Sequence, residues 1–138
     1  MKIQIIKDIS DCIDGYNPVL IEDDNLNIDV PDNSISSILM INTIELISYK
    51  NIDAFLNKIR QLLRLNGTLV ITGVDINCLS VDCVNRVLDC AVMNEVIYNR
   101  KAIYDCKELS DKLTSLGIKT DKLLFKGSTY ELHATRKN

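Results

Sequence analysis

The stretch from Ile35 to Thr72 constrains the fold more than any other part of the chain. Ile35-Ser36-Ser37-Ile38-Leu39-Met40-Ile41 closes on four consecutive apolar residues, the pattern of a central strand covered on both faces. From Asn51 the period changes. Ile52, Phe55, Leu56, Ile59, Leu62 and Leu63 recur at three- and four-residue steps, which makes one face of a helix apolar. Asn51 stands as its N-cap and Asn66-Gly67 as its left-handed stop. Thr68 to Thr72 reads as another buried strand. Strand, amphipathic helix, turn and strand form a β-α-β unit, whose strands are parallel and whose crossover is almost always right-handed. An α/β layer architecture is the expectation.

The flanks extend that frame. Met1 to Ile6 reads as a short buried strand, Asp8 to Pro18 as turns, Val19-Leu20-Ile21 as a second strand and Leu26 to Val30 as a weak third. A helix is expected from Ser80 to about Tyr98, apolar around much of its circumference through Val81, Val84, Val87, Leu88, Ala91 and Val92, with Cys83 and Cys90 packed on one face. Such a helix needs cover from the sheet on one side and from another subunit on the other. A further helix spans Asp105 to Leu116, with Leu109, Leu113 and Leu116 inward and Gly117 as its stop. Lys122 to Lys126 and Thr129 to Arg136, joined by Gly127-Ser128, predict a closing antiparallel hairpin.

Composition narrows the function classes. The 138 residues suit one domain over 1–138, and 46% hydrophobic with 25% charged residues is ordinary globular usage. A net charge of −3 and a pI near 5.1 argue against broad nucleic-acid binding, which needs clustered positive charge. No polybasic patch, membrane-length apolar run or signal-peptide pattern stands out, so a cytoplasmic protein without a membrane partner is expected. The five cysteines (Cys12, Cys78, Cys83, Cys90 and Cys106) contain no C-x-x-C pair and read as small buried hydrophobes rather than a disulfide or zinc framework. His133, the only histidine, alternates with Leu132 and Ala134 and falls beside Glu131, which makes no metal site.

Several blocks resemble the class I S-adenosylmethionine-dependent methyltransferases. Pro31-Asp32-Asn33-Ser34-Ile35 is similar to the approach to that family's fourth strand. Asn42-Thr43-Ile44-Glu45-Leu46-Ile47 sits where the family carries a Leu-Glu-His run, so Glu45 matches the Glu and Leu46 replaces the His. Leu62-Leu63-Arg64-Leu65-Asn66-Gly67-Thr68-Leu69-Val70-Ile71 resembles the stretch leading into strand five. More narrowly, Met1-Lys2-Ile3-Gln4-Ile5 followed by Gly15-Tyr16-Asn17 is similar to small methyltransferases found with polysaccharide-biosynthesis genes and in phage genomes. The resemblance implies a reduced Rossmann-like methyltransferase fold: a parallel sheet, helices on its faces and a C-terminal antiparallel hairpin.

The resemblance also places a cofactor site and marks where this chain departs from it. Ile6-Lys7-Asp8 occupies the position of the family's Gly-Cys-Gly loop. Glycines there let the backbone pass close to the cofactor at φ > 0; a branched Ile and a Lys are expected to fill that notch and to oppose a sulfonium. Lys7 and Asp8 clasp an anion or a partner, or are exposed loop residues. The acidic residue that holds ribose hydroxyls after strand two falls near Leu20 or, with a slip of two, at Glu22. Asn42 lines the same pocket or caps a turn. Glu45 is either a polar contact in it or a helix-start carboxylate facing the dipole. Asp75, leaving strand five at the same edge, is the candidate for acid–base work or acceptor binding, with an Asx-type cap as the alternative.

Three functions compete. The first is a degenerate methyltransferase-like domain without robust methyl transfer, acting as a binding or assembly module and forming homo-oligomers through the Val81 to Val92 region. The second is an active methyltransferase using S-adenosylmethionine on a sugar or surface-glycan precursor. The third is a non-catalytic partner of an active methyltransferase or of a phage component.

Overall fold

A computed structural model describes residues 1–138. The strands are β1 (Lys2–Ile6), β2 (Asn17–Glu22), β3 (Asn25–Leu26), β4 (Ile35–Ile41), β5 (Leu63–Val74), β6 (Ile118–Lys126) and β7 (Thr129–Arg136). They form one sheet in the order β3-β2-β1-β4-β5-β7-β6. β2, β1, β4 and β5 are mutually parallel, whereas β7 is antiparallel to β5 and to β6. The closing hairpin therefore stands as expected, with Gly127 at φ +60 in its turn. The helices are α1 (Ile52–Leu62), α2 (Ile76–Val84), α3 (Cys90–Ile97) and α4 (Cys106–Ser115).

The core lies on one face of this sheet. Ile3 and Ile5 of β1, Ile38 and Met40 of β4, Leu69 and Ile71 of β5, and Leu132 and Ala134 of β7 share that face by register. They join Phe55, Leu56, Ile59 and Leu62 of α1 with Leu109 and Leu113 of α4 in one buried cluster. Arg60 ties the two helices together by donating from Nε to the Leu116 carbonyl at 2.8 Å. The opposite face carries Gln4, Ser37, Leu39, Thr68, Val70, Thr72, Glu131, His133 and Thr135. Most of these are half-buried or exposed, and neither α1 nor α4 covers them. Strand β4 is thus helix-covered on one side only, which differs from the expectation drawn from its apolar run. The sheet manages its open side with hydroxyls and charges: Thr68 Oγ1 donates to Ser37 Oγ at 3.1 Å, and His133 Nε2 meets Glu131 Oε1 at 2.6 Å.

Three local expectations are corrected. Helix α1 ends at Leu62 and β5 begins immediately, so Asn66-Gly67 is not a helix stop; Asn66 takes φ +60 in the irregular start of β5. Gly67 is demanded by crowding, because a Cβ there would lie 2.8 Å from the Arg64 carbonyl oxygen. Asn51 makes no capping bond; its amide nitrogen donates to Asp24 instead. The helix expected from Ser80 to Tyr98 is two helices, starting earlier at Ile76 and broken around Arg86, which has φ +59. Only Leu79 is buried along both, and Cys83 and Cys90 stand exposed on separate helices.

The one-sided core predicts unequal costs for neighbouring residues on β7. Leu132→Ala should lose about 2–5 kcal/mol of unfolding free energy, whereas His133→Ala should lose no more than about 0.5 kcal/mol. Urea denaturation of both variants checks this. Similar losses would mean that both sheet faces are packed.

Candidate functional site

The C-terminal ends of β1, β4 and β5 face one edge of the molecule, where open α/β sheets place their ligands. A cleft of about 460 Å³ opens there, lined by Ile6 and Lys7 at the end of β1, Asn42, Thr43, Glu45 and Leu46 after β4 and Tyr98, Asn99 and Arg100 beyond α3, with Gln4, Asp11 and Ile41 completing it. That volume falls within the roughly 300–1,000 Å³ typical of small-molecule sites. The notch expected to be filled is open: Ile6 is buried in its wall and Lys7 lines it while remaining exposed. A smaller recess of about 200 Å³ shares Lys7, Leu46 and Asn99 and adds Asp23, Asp24 and Lys101. A second cleft of about 510 Å³ shares Asn42 and is lined by Thr72, Gly73, Phe125 and Tyr130 among others.

Glu45 organises this edge. The residue is 2% exposed. Its Oε1 accepts from the Val74 amide at 2.6 Å, and its Oε2 is paired with Arg100 Nε. The Glu45 carbonyl accepts from the amides of Lys101 at 2.9 Å and Ala102 at 3.2 Å. One residue therefore joins the turn after β4, the end of β5 and the strap that follows α3. Both readings weighed for Glu45 meet here in altered form, since it lines the cleft while its carboxylate is bound within the protein. Asn42 also lines the cleft, at φ +54. Its amide donates to the Thr72 carbonyl at 3.1 Å, which joins the ends of β4 and β5.

Asp75 lies outside the cleft lining and is buried. Its Oδ2 accepts from the Cys78 amide at 3.0 Å and its Oδ1 from the Cys106 amide at 2.9 Å. It thus caps α2 and reaches the first residue of α4, which satisfies two helix N-termini at once. Burial disfavours its charge, but the two backbone donors prevail and hold the carboxyl below its ordinary range. Burial also pushes the Cys106 thiol up to about 12, so it offers no thiolate.

The remaining expected residues separate. Asp8 turns back on its own loop, accepting from the Ser10 amide and hydroxyl at 3.1 Å each. Glu22 is exposed, pairs with Asn25 in the short β2–β3 turn and lines none of these clefts. The structure brings together Ile6, Lys7, Asn42 and Glu45, and leaves Asp8, Glu22 and Asp75 apart. Sequence reasoning missed Arg100, Thr43, Asp23 and Asp24. The Asp23-Asp24 pair was the one readable signal, as consecutive acids just after β2.

Asp24 accepts from Asn51 Nδ2 at 2.7 Å, the Ser48 amide at 3.0 Å and Lys101 Nζ at 3.3 Å. The Asn51 bond leads in lowering its pKa to about 2, against a desolvation effect of opposite sign. A depressed folded-state pKa contributes stability that is present above the unfolded value of about 3.9 and is lost as pH falls towards the folded one. Asp24→Asn should therefore flatten the acid limb of stability between about pH 4 and pH 2. Thermal melts across that range check it; an unchanged acid limb would contradict the assignment.

No family model matches the chain, and no curated protein matches it. Solved structures do. An S-adenosylmethionine-dependent methyltransferase from Thermotoga maritima aligns over 89% of this chain and 65% of its own, at 19% identity and TM-score 0.61. One from Aquifex aeolicus aligns over 89% and 56%, at 16% identity and 0.55. One from Methanosarcina mazei aligns over 88% and 68%, at 12% identity and 0.61. The chain spans less than two thirds of the first two of these proteins. It has the fold of S-adenosylmethionine-dependent methyltransferases.

Proposed function

We propose that this chain is a methyltransferase-fold binding module without robust methyl transfer, which assembles with copies of itself. One observation carries the first part: the buried carboxylates at the ligand edge are engaged by the protein. Asp75 accepts from two backbone amides, and Glu45 from one amide and the Arg100 guanidinium. A general base must be within reach of the proton it takes and poised near working pH. Asp75 is neither, being outside the cleft and held below its ordinary range.

Ile6 and Lys7, standing where the methyltransferase resemblance puts glycines, speak against S-adenosylmethionine, the cofactor associated with the fold. The cleft's volume is adequate and its lining charges balance, Lys7 and Arg100 against Asp11 and Glu45, so this part of the reading rests on the side chains that replace glycine. Glu22, considered for the ribose hydroxyls, lines none of the clefts described. Isothermal titration calorimetry with S-adenosylmethionine and S-adenosylhomocysteine should show no binding in the micromolar range. Micromolar binding of either would overturn the reading.

A second reading is favoured by the open volume itself. Two clefts meeting at Asn42 suit a cofactor and an acceptor held side by side. An active methyltransferase of the polysaccharide or phage type, acting on a sugar or surface-glycan precursor, would use such a pair. The same calorimetry separates the two readings.

Assembly is supported by the arm formed by α2 and α3. Val81, Val84, Val87, Ile97 and Tyr98 are exposed there, and no residue of α3 is buried. Exposed apolar groups in such concentration mark interaction surfaces. A Val84→Lys, Val87→Lys double variant should shift an oligomer to a monomer in light scattering coupled to size exclusion. A wild-type chain that elutes as a 15.6 kDa monomer at all concentrations would contradict self-assembly.

A further inference from the structure

We infer that the α2–α3 arm pairs with the same arm of a second copy about a two-fold axis, and that this pairing fixes one wall of the cleft between the ends of β1 and β4. The inference rests on the self-assembly proposed above and adds its geometry and its consequence for the cleft.

The arm has little cover inside its own chain. Leu79 is the one buried residue of α2 and none of α3 is buried, whereas Val84 is 81% and Val87 69% exposed. The two helices contribute nine and eight residues. With the turn between them they approach the roughly 20–30 residues a side of a standard interface. Charge selects the occupant. Arg86, in the turn after α2, and Glu95, on α3, are exposed, opposite in sign and in no ion pair. A two-fold axis places the same patch on both sides, so Arg86 of each copy meets Glu95 of the other and the pair forms twice. A second copy carries both signs at matching places by symmetry alone.

The far end of the arm is a wall of the cleft. Tyr98, Asn99 and Arg100 follow α3 directly and line the cleft, and Tyr98 also belongs to the exposed apolar surface of the arm. The strap that they begin is held by few groups. Arg100 Nε is paired with the Glu45 carboxylate, the Lys101 and Ala102 amides donate to the Glu45 carbonyl at 2.9 and 3.2 Å, and Lys101 Nζ donates to Asp24 at 3.3 Å. At the other end Asp75 caps α2 through the Cys78 amide. Between these ties no side chain but Leu79 is buried. Elements so lightly packed open at low free energy, and a partner that orders the arm also holds Tyr98 to Arg100 in place. Assembly and the shape of the cleft thus share one element. Linkage makes the effect mutual: whatever fills the cleft against this wall favours the paired form.

Light scattering coupled to size exclusion, together with amide hydrogen exchange, tests this on the intact chain. Wild type should form a dimer. Arg86→Glu should weaken it by about tenfold, because the like-charge contact then occurs twice, and Arg86→Glu combined with Glu95→Arg should restore it. Raising the concentration through the dimer range should slow exchange at the Lys101 and Ala102 amides by about tenfold or more, with the Leu69 and Ile71 amides at the centre of the sheet unchanged. A dimer indifferent to Arg86→Glu, or not restored by the double swap, overturns the paired geometry. A dimer whose strap amides exchange as they do in the monomer overturns the effect on the cleft. In either case self-assembly stands and this inference alone fails, whereas a chain that is monomeric at every concentration defeats both.

Discussion

A carboxylate taken out of water must be matched by donors, because the loss of hydration is large and is recovered only through good pairing. Glu45 is that carboxylate here, and the ligand edge is arranged around it. Its two oxygens require the Val74 amide and the Arg100 side chain to be where they are, and its carbonyl requires the strap at Lys101 and Ala102. Gly73 follows from the same constraint: a Cβ there would lie 3.0 Å from Glu45 Oε1 and 3.2 Å from the Tyr130 hydroxyl. The cleft's shape is thus a consequence of how one buried charge is satisfied, and so is the position of the arm that carries Tyr98 to it.

The sheet supports this edge from one side. With α1 and α4 on the same face, the packing that holds β1, β4 and β5 comes from a single cluster, and the opposite face remains compatible with water through Ser37, Thr68, Thr72 and Thr135. Its outer strand β6 carries Lys119, Lys122 and Lys126, charges of the kind that discourage edge-to-edge pairing. At the opposite sheet end, buried Arg136 reaches Arg60, Leu63 and Asn33, and so fastens the last strand to the α1–β5 junction.

Much of the frame was legible because it depends on local periodicity. The three- and four-residue apolar step of α1, the Gly127-Ser128 turn and the parallel order implied by strand–helix–strand all follow from that kind of pattern. What was not legible depends on three-dimensional partners. The run Leu39-Met40-Ile41 looks buried on both faces, yet only Met40 is fully enclosed, since no helix lies over Leu39. The Val81 to Val92 stretch has too many apolar residues to show a face, and Arg86 at φ +59 breaks it in two. Arg100 could not be foreseen, because its partner lies 55 residues away. Asp75 was recognised as a cap or a base, and the decisive second donor, the Cys106 amide, lies 31 residues away in sequence.

The account depends on the edge carboxylates serving the fold rather than moving protons. Carbon-detected NMR titration of the Asp75 side chain tests that most directly. A midpoint below the ordinary value of about 3.9 is the result predicted by two backbone donors at a buried site. A midpoint close to neutrality would reveal a group poised for acid–base chemistry, and would contradict the account.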